Sequence, residues 1–339
     1  MEYLSVSPES LRKAAGIIRN GGIVAFPTET VYGLGADACN AEALAKVFEA
    51  KRRPSFDPLI IHIADIKTLE DIADLSLLSE KNREKLFLLA ENFWPGPLSL
   101  VMPKSKKIPG IATAGLSTAA IRFPDHQAAL SLISLSGGAL AAPSANPFGS
   151  LSPTRAEHVR DKLGEKVDMI LDGGSARIGV ESTVLDITGG CIKILRPGGT
   201  PKEAVENLIG PIQDGSAAAG DTASGGLVSP GRLKSHYAPK TPLSVFTLEE
   251  LIRQPCGPGS AFVFFDAPSR DAWAATQPPA ALEKAVIRVL SPSGRLVEAA
   301  ASLFQTLHEL DSPEISRILA QLAPQEGLGQ AINDRLRRA

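Results

Sequence analysis

Apolar runs of four to six residues, each followed by a polar loop, recur between helical patterns along the first two thirds of this chain, and no other feature restricts its fold as much. IVAF (23–26), LIIHI (59–63), LSLVM (98–102), TAAIRF (118–123), ALAA (139–142), VDMIL (167–171) and TVLDI (183–187) are short and punctuated by Gly and Pro, so they read as buried strands. The segments between them include two clear helical patterns. Ser7-Pro8 supplies an N-cap and a proline at the first helical position, Leu11, Ala14, Ala15 and Ile18 share a face, and Gly21-Gly22 ends the run. AEALAKVFEA (41–50) is the second. The expectation is an α/β domain around a large, twisted, open mixed sheet.

After TPKEAVENLIG (200–210) the composition shifts to Gly, Ala and Ser with almost no large apolar residues, which reads as a connector. Beyond it, PLSVF, AFVFF (261–265) and AVIRVL (285–290) read as strands, and 294–310 and 328–338 as helices. The division expected is therefore a first domain over 1–208, a linker over 209–240 and a smaller α/β domain over 241–339.

Thirty-five basic against thirty-seven acidic residues give a net charge of −2, so no global basic field advertises nucleic acid, and any basic site must be local. Cys39, Cys191 and Cys256 lie too far apart to clasp a metal. With no leader pattern at the N-terminus and no run of ~18 apolar residues, the expected location is the cytoplasm, with no membrane span.

The commonest nucleotide and hydrolase motifs are missing: there is no Walker A, GxGxxG, HExxH or GxSxG pattern. Four polar clusters instead sit where apolar runs end, which is where ligands collect in α/β sheets. Pro27-Thr28-Glu29-Thr30-Val31-Tyr32-Gly33-Leu34-Gly35 either holds a small polar ligand or forms a capped strand-to-helix turn. Lys51-Arg52-Arg53-Pro54, with Asp57 and His62 behind it, suits phosphate or is a solvated helix end offsetting the macrodipole. Thr118 and Arg122 join Ala142, Ser144 and Asn146, with Ser152 beyond. An arginine inside an apolar strand needs a carboxylate, either a structural one such as Asp125 or Asp172 or that of a substrate. The fourth cluster is Glu181-Ser182-Thr183 with Arg196-Pro197-Gly198.

Taken in order, PTETVYGLG, KRRPSFDPLIIHIAD, WPGPLSLV, STAAIR, AAPSAN, SPT, DGG, GVESTV and RPG resemble the YrdC/Sua5 family of threonylcarbamoyl-AMP synthases. SPGRLKSHYAP (229–239) and the ending GLGQAINDRLRRA resemble its longer, two-domain Sua5 type, whose C-terminal domain is Rossmann-like. The resemblance implies an L-threonylcarbamoyladenylate synthase that joins L-threonine, bicarbonate and ATP, with magnesium, for a modification at position 37 of tRNA. It implies a downstream tRNA-modifying partner, and its rival is a double-stranded-RNA-binding or ribosome-maturation module. Carried over by position, Thr30, His62, Arg122, Ala142 and Ser182 surround threonine. Lys51, Arg53, Asp57, Thr118, Ser144, Ser152, Arg196 and Tyr237 surround ATP, with Lys51 and Arg53 as the catalytic cations. Asp57 departs from the family's usual asparagine, and either faces magnesium or pairs with Lys51 or Arg53. The segment around Tyr237 is expected to act as a lid.

Overall fold

The computed structural model describes residues 1–215 and 237–339. These fall into two compact units. One comprises Met1–Phe148, Ser152–Arg177 and the described residues from Glu181 to Gly215; the other comprises Gly149–Leu151, Ile178–Val180 and the described residues from Tyr237 to Ala339. Residues 229–236 of the connector lie outside the described residues.

The first unit is built on an eleven-stranded mixed sheet. In chain order its strands are β1 (Glu2–Ser5), β2 (Val24–Phe26), β3 (Gly33–Asp37), β4 (Ile60–Ile63), β5 (Leu98–Pro103), β6 (Thr118–Arg122), β7 (Ala139–Ala141), β8 (Met169–Asp172), β9 (Thr183–Asp186), β10 (Lys193–Arg196) and β11 (Gln213–Asp214). They lie side by side as β1-β8-β2-β3-β7-β4-β6-β5-β9-β10-β11. All seven apolar runs of the first domain lie on strands. The first helix, Pro8–Arg19, carries the Ser7 cap, with Ser10 completing the reciprocal box, and buries Leu11, Ala14, Ala15 and Ile18.

PTETVYGLG departs from the expected strand-to-helix turn. Its last residues open β3, which pairs antiparallel with β2, so the segment is a hairpin connection. A Cβ on Gly35 would stand 2.7 Å from the Phe26 ring, so the glycine that weakens the strand signal is what admits the ring.

Both sheet faces are buried, and the period of two sorts the residues between them. Ala25, Leu34, Ile61, Leu100, Ile121 and Leu185 join the larger core on one side. On the other, Val24, Phe26, Leu140, Met169 and Leu171 pack under Pro8–Arg19 and the helix Gln127–Leu135. That second face changes character toward β9 and β10, where only a small apolar floor of Ile60, Val101, Ala120, Val184 and Leu195 continues it. His62, Ser99, Arg122 and Ser182 have the same strand parity as this floor, so they stand on it.

The second unit holds a four-stranded, all-parallel sheet, β12 (Leu243–Phe246), β13 (Ser260–Phe264), β14 (Val286–Val289) and β15 (Arg317–Gln321), in the order β12-β15-β13-β14. Helices Leu296–Leu310 and Gly329–Arg338 fall within the segments expected to be helical. β15 was not anticipated, because RILAQ is bracketed by polar residues and has no flanking turn pair.

Candidate functional site

Register assembles the site. His62 of β4 lies opposite Arg122 of β6, and Arg122 lies opposite Ser99 of β5, so three polar residues stand abreast on one face. Ser99 Oγ shares a 2.8 Å hydrogen bond with Ser182 Oγ at the mouth of β9. Arg196, at a bulge in β10, continues the line by donating from Nε and Nη2 to the Ser182 carbonyl at 3.1 and 2.9 Å. Gly198 makes this possible: a Cβ there would meet the backbone of Glu181 and Ser182 at 2.3 Å.

Arg122 is buried and ion-paired with Glu29 at 2.6 Å, and its Nε donates to the Gly96 carbonyl at 3.3 Å. The carboxylate partner is thus neither Asp125, which pairs with the exposed Arg177, nor Asp172, which accepts from Tyr3. Within PTETVYGLG the hydroxyls and the phenol divide. Thr28 Oγ1 donates to the Val31 carbonyl and accepts from the Thr30 and Val31 amides, which fixes the turn. Tyr32 donates to the Gly174 carbonyl. Glu29 and Thr30 are left buried at 1% and 0% exposure, with Thr30 Oγ1 2.9 Å from Thr28 Oγ1. His62 donates from Nδ1 to the Ile60 carbonyl, and burial together with Arg122 pushes its pKa down to about 3, so the imidazole is neutral.

The three adjacent cations at 51–53 split. Arg52 adopts a left-handed conformation as the helix Ala41–Lys51 ends and faces solvent, whereas Lys51 and Arg53 turn inward at 1% and 8% exposure. Lys51 Nζ donates to the carbonyls of Ser144 and Asn146, tying the helix end to AAPSAN. Arg53 donates to the carbonyls of Asp57 and Pro58 and pairs with the Asp57 carboxylate at 2.9 Å. Burial raises the Asp57 carboxyl, while Arg53, Lys51 and Arg196 pull it back down. Burial and Arg53 hold Lys51 well below an ordinary lysine. Among the described residues Lys51, Arg53 and Arg196 thus all act on one buried carboxylate, Asp57, and the two guanidiniums keep their charge there.

The remaining carried-over positions divide too. Ala142 lies just past β7, its amide donating to Ile60, and Ser144 bridges to Gly33. Ser152 donates to Glu181. Thr118 begins β6, four residues from Arg122 on the same face and about 13 Å away along the strand. Tyr237 belongs to the second unit, where it is buried against Phe304 and lies beneath the Arg335 guanidinium at 5.0 Å. Glu29, Ser99 and Glu181 are buried site groups that the residue-by-residue reading did not select. Ser99 was signalled only by one hydroxyl inside an apolar strand, and Glu29 and Glu181 by carboxylates in otherwise neutral loops.

The family described as telomere recombination matches residues 16–198, and the family described as the C-terminal domain of threonylcarbamoyl-AMP synthase matches residues 200–339. The chain is 42% identical to a threonylcarbamoyl-AMP synthase of Pyrococcus abyssi over 97% of its own length and 93% of that protein's. It is 40% identical to the Bacillus subtilis threonylcarbamoyl-AMP synthase over 100% of its length and 95% of that protein's. Its fold is similar to that of the crystal structure of P. abyssi Sua5 complexed with L-threonine, with a TM-score of 0.85 and 39% identity, covering 100% of this chain and 96% of that one.

Proposed function

The chain belongs to the Sua5 family of threonylcarbamoyl-AMP synthases, and from that premise we propose how its buried groups share the work. It is an L-threonylcarbamoyladenylate synthase, a nucleotidyltransferase of tRNA threonylcarbamoyladenosine synthesis. The amino-acid end of the site is the row His62, Arg122, Ser99 and Ser182, with Thr30 and Ala142 beside it. Arg122 takes the threonine carboxylate, and neutral His62 and the paired serines offer hydrogen bonds without adding charge. The nucleotide end is the group Lys51, Arg53 and Arg196, whose two guanidiniums and amine supply donors of the kind a triphosphate accepts from. Bicarbonate loses hydroxide to give CO2, which the threonine amine attacks, the amine proton and the hydroxide leaving as water; the resulting carbamate oxygen attacks the α-phosphorus of ATP as pyrophosphate leaves. Positioning and charge neutralisation carry such a substitution, so no protein nucleophile is required.

Among the described residues no group of three His, Cys, Asp or Glu could hold a metal ion. Magnesium would fit this site as an ion arriving with the triphosphate, and the residue that could help hold it is Asp57. Bound there, it would supply positive charge against the phosphates. The RNA-binding alternative gains nothing from this arrangement, because the cations are buried and unavailable for tracking a phosphate backbone.

The single observation that carries this division is the placement of the buried Arg122–Glu29 pair in one group and of Lys51, Arg53 and Arg196 around the buried Asp57 in another. Purified protein given ATP, magnesium and bicarbonate should release pyrophosphate when L-threonine is added, and much less with L-serine. Release that is indifferent to threonine would remove the assignment.

A further inference from the structure

Glu29 is buried at 1% exposure, and among the described residues neither of its oxygens has an aligned hydrogen-bond donor. Its one close charge is Arg122, at 2.6 Å from a guanidinium nitrogen. An ionised carboxylate has about four acceptor positions, and leaving them empty in a buried site is costly, so the structure around Glu29 is incomplete without a donor. His126, half-buried at the start of the helix Gln127–Leu135, feels the Glu29 charge, but burial holds its imidazole below the usual pKa, which leaves it a weak counter-charge.

Resting on the reading of Arg122 as the seat of the substrate carboxylate, we infer that Glu29 receives the α-ammonium group of the amino acid and thereby makes the site specific for zwitterions. An α-amino acid carries its ammonium and carboxylate on one carbon, so the groups that receive them must be neighbours, as Glu29 and Arg122 are. An ammonium has three donors and no acceptor, the complement of what Glu29 lacks. The charge balance agrees. With His62 neutral, Arg122 and Glu29 sum to zero, which matches a net-neutral zwitterion and disfavours an acid that brings only a carboxylate.

Calorimetry with two ligands tests this. L-threonine and 3-hydroxybutanoate share the carboxylate and the hydroxyl, and only threonine has the amine. Glu29→Gln should weaken threonine binding about thirtyfold or more, the usual effect of removing one member of a buried charge pair. Binding of 3-hydroxybutanoate, followed by displacement of threonine, should stay level or tighten, because a like charge has been removed. Equal loss for both ligands would overturn the inference and make Glu29 a support that holds Arg122 in place, and no loss for either would overturn it outright. Glu29→Asp keeps the charge with a shorter reach. It should weaken threonine several-fold and leave the analogue unchanged, and it carries the same comparison should the glutamine variant fail to fold. Wild-type protein that binds threonine yet releases no pyrophosphate counts against the enzymatic reading and leaves the Glu29 comparison standing.

Discussion

The two units bury different kinds of residue at comparable positions in their sheets. In the first, Glu29, Lys51, Arg53, Asp57, His62, Arg122, Glu181 and Arg196 are all buried on or beside the strands. In the second, Phe262 and Phe264 of β13 pack against Trp273 with ring centroids 4.4 and 5.3 Å apart, and Leu251 and Leu319 complete the cluster. The second unit's buried guanidinium, Arg335, is matched by Asp334 at 2.7 Å and by the Tyr237 ring. An apolar core of that kind is explained by stability alone. A concentration of buried charged groups is not, since desolvating each of them costs stability that pairing alone only partly restores. The contrast locates chemistry in the first unit.

The most direct way to break the comparison is to remove one of the first unit's charges. Arg122→Ala leaves Glu29 buried and unpaired, which should destabilise the protein by about 3–5 kcal/mol. In whatever protein remains folded, apparent threonine affinity should fall by about 2–5 kcal/mol, roughly two orders of magnitude or more. Titrating threonine in the pyrophosphate assay, alongside a thermal melt, reads both numbers. An unchanged threonine requirement would return Arg122 to the class of structural pairs and dissolve the contrast.

How much of this was legible beforehand depended on where the signal was stored. The strands of the first unit could be read because period-two apolar runs are local, and the first helix because its cap, proline and glycines are consecutive in sequence. The hairpin inside PTETVYGLG was not legible. Gly33 and Gly35 lower strand propensity, and the reason for Gly35, the Phe26 ring, lies across a strand pair. The partner of Arg122 was sought at Asp125 and Asp172, whereas the structure brings in Glu29 from a loop 93 positions away. His62, Arg122 and Ser182, grouped by the resemblance, stand near one another through register and the Ser99–Ser182 hydrogen bond. Motifs could not reveal Ser99, which becomes a site residue only through its register with Arg122.

Acid should sharpen the comparison by a smaller amount. Burial pushes His62 down to about 3 and His158 to about 4. Both groups belong to the first unit, and both have folded pKa values below the unfolded value near 6.5. As pH falls through 6.5 the unfolded chain takes up these protons while the folded chain does not, so stability falls. The loss is up to about 1.4 kcal/mol per pH unit for each group, continuing until the folded pKa is reached. In the second unit the resolved carboxylate shifts are on Glu250, lowered by the Thr247 backbone amide and then its hydroxyl, and on Glu298, lowered by the Ser291 and Ser293 hydroxyls. Their contribution persists until pH falls below the unfolded carboxylate range near 4.3. The two tryptophans, Trp94 in the first unit and Trp273 in the second, allow each unit to be followed separately in single Trp→Phe variants. Between pH 6.5 and 4.5 the Trp94 signal should lose denaturant resistance before the Trp273 signal. Coincident loss would mean the units do not differ in the way their buried groups imply.

The smallest expected effect is at Asp57, where it also divides two roles. Lys51, Arg53 and Arg196 all act on the Asp57 carboxylate, which pairs with Arg53 at 2.9 Å. If its work is to temper that cation group, Asp57→Asn removes one negative charge while the amide oxygen can still accept from Arg53. Positive potential at the site then rises, and ATP should bind more tightly by about 1 kcal/mol, roughly fivefold. The magnesium concentration for half-maximal activity should not move. If Asp57 instead reaches a magnesium ion arriving with the triphosphate, the amide is a poorer ligand for a hard cation, so that concentration should rise and ATP should bind no tighter. The two roles predict opposite movements of two measured quantities. The ion pair favours the first, because a carboxylate committed to Arg53 must break that contact before it can turn to a metal.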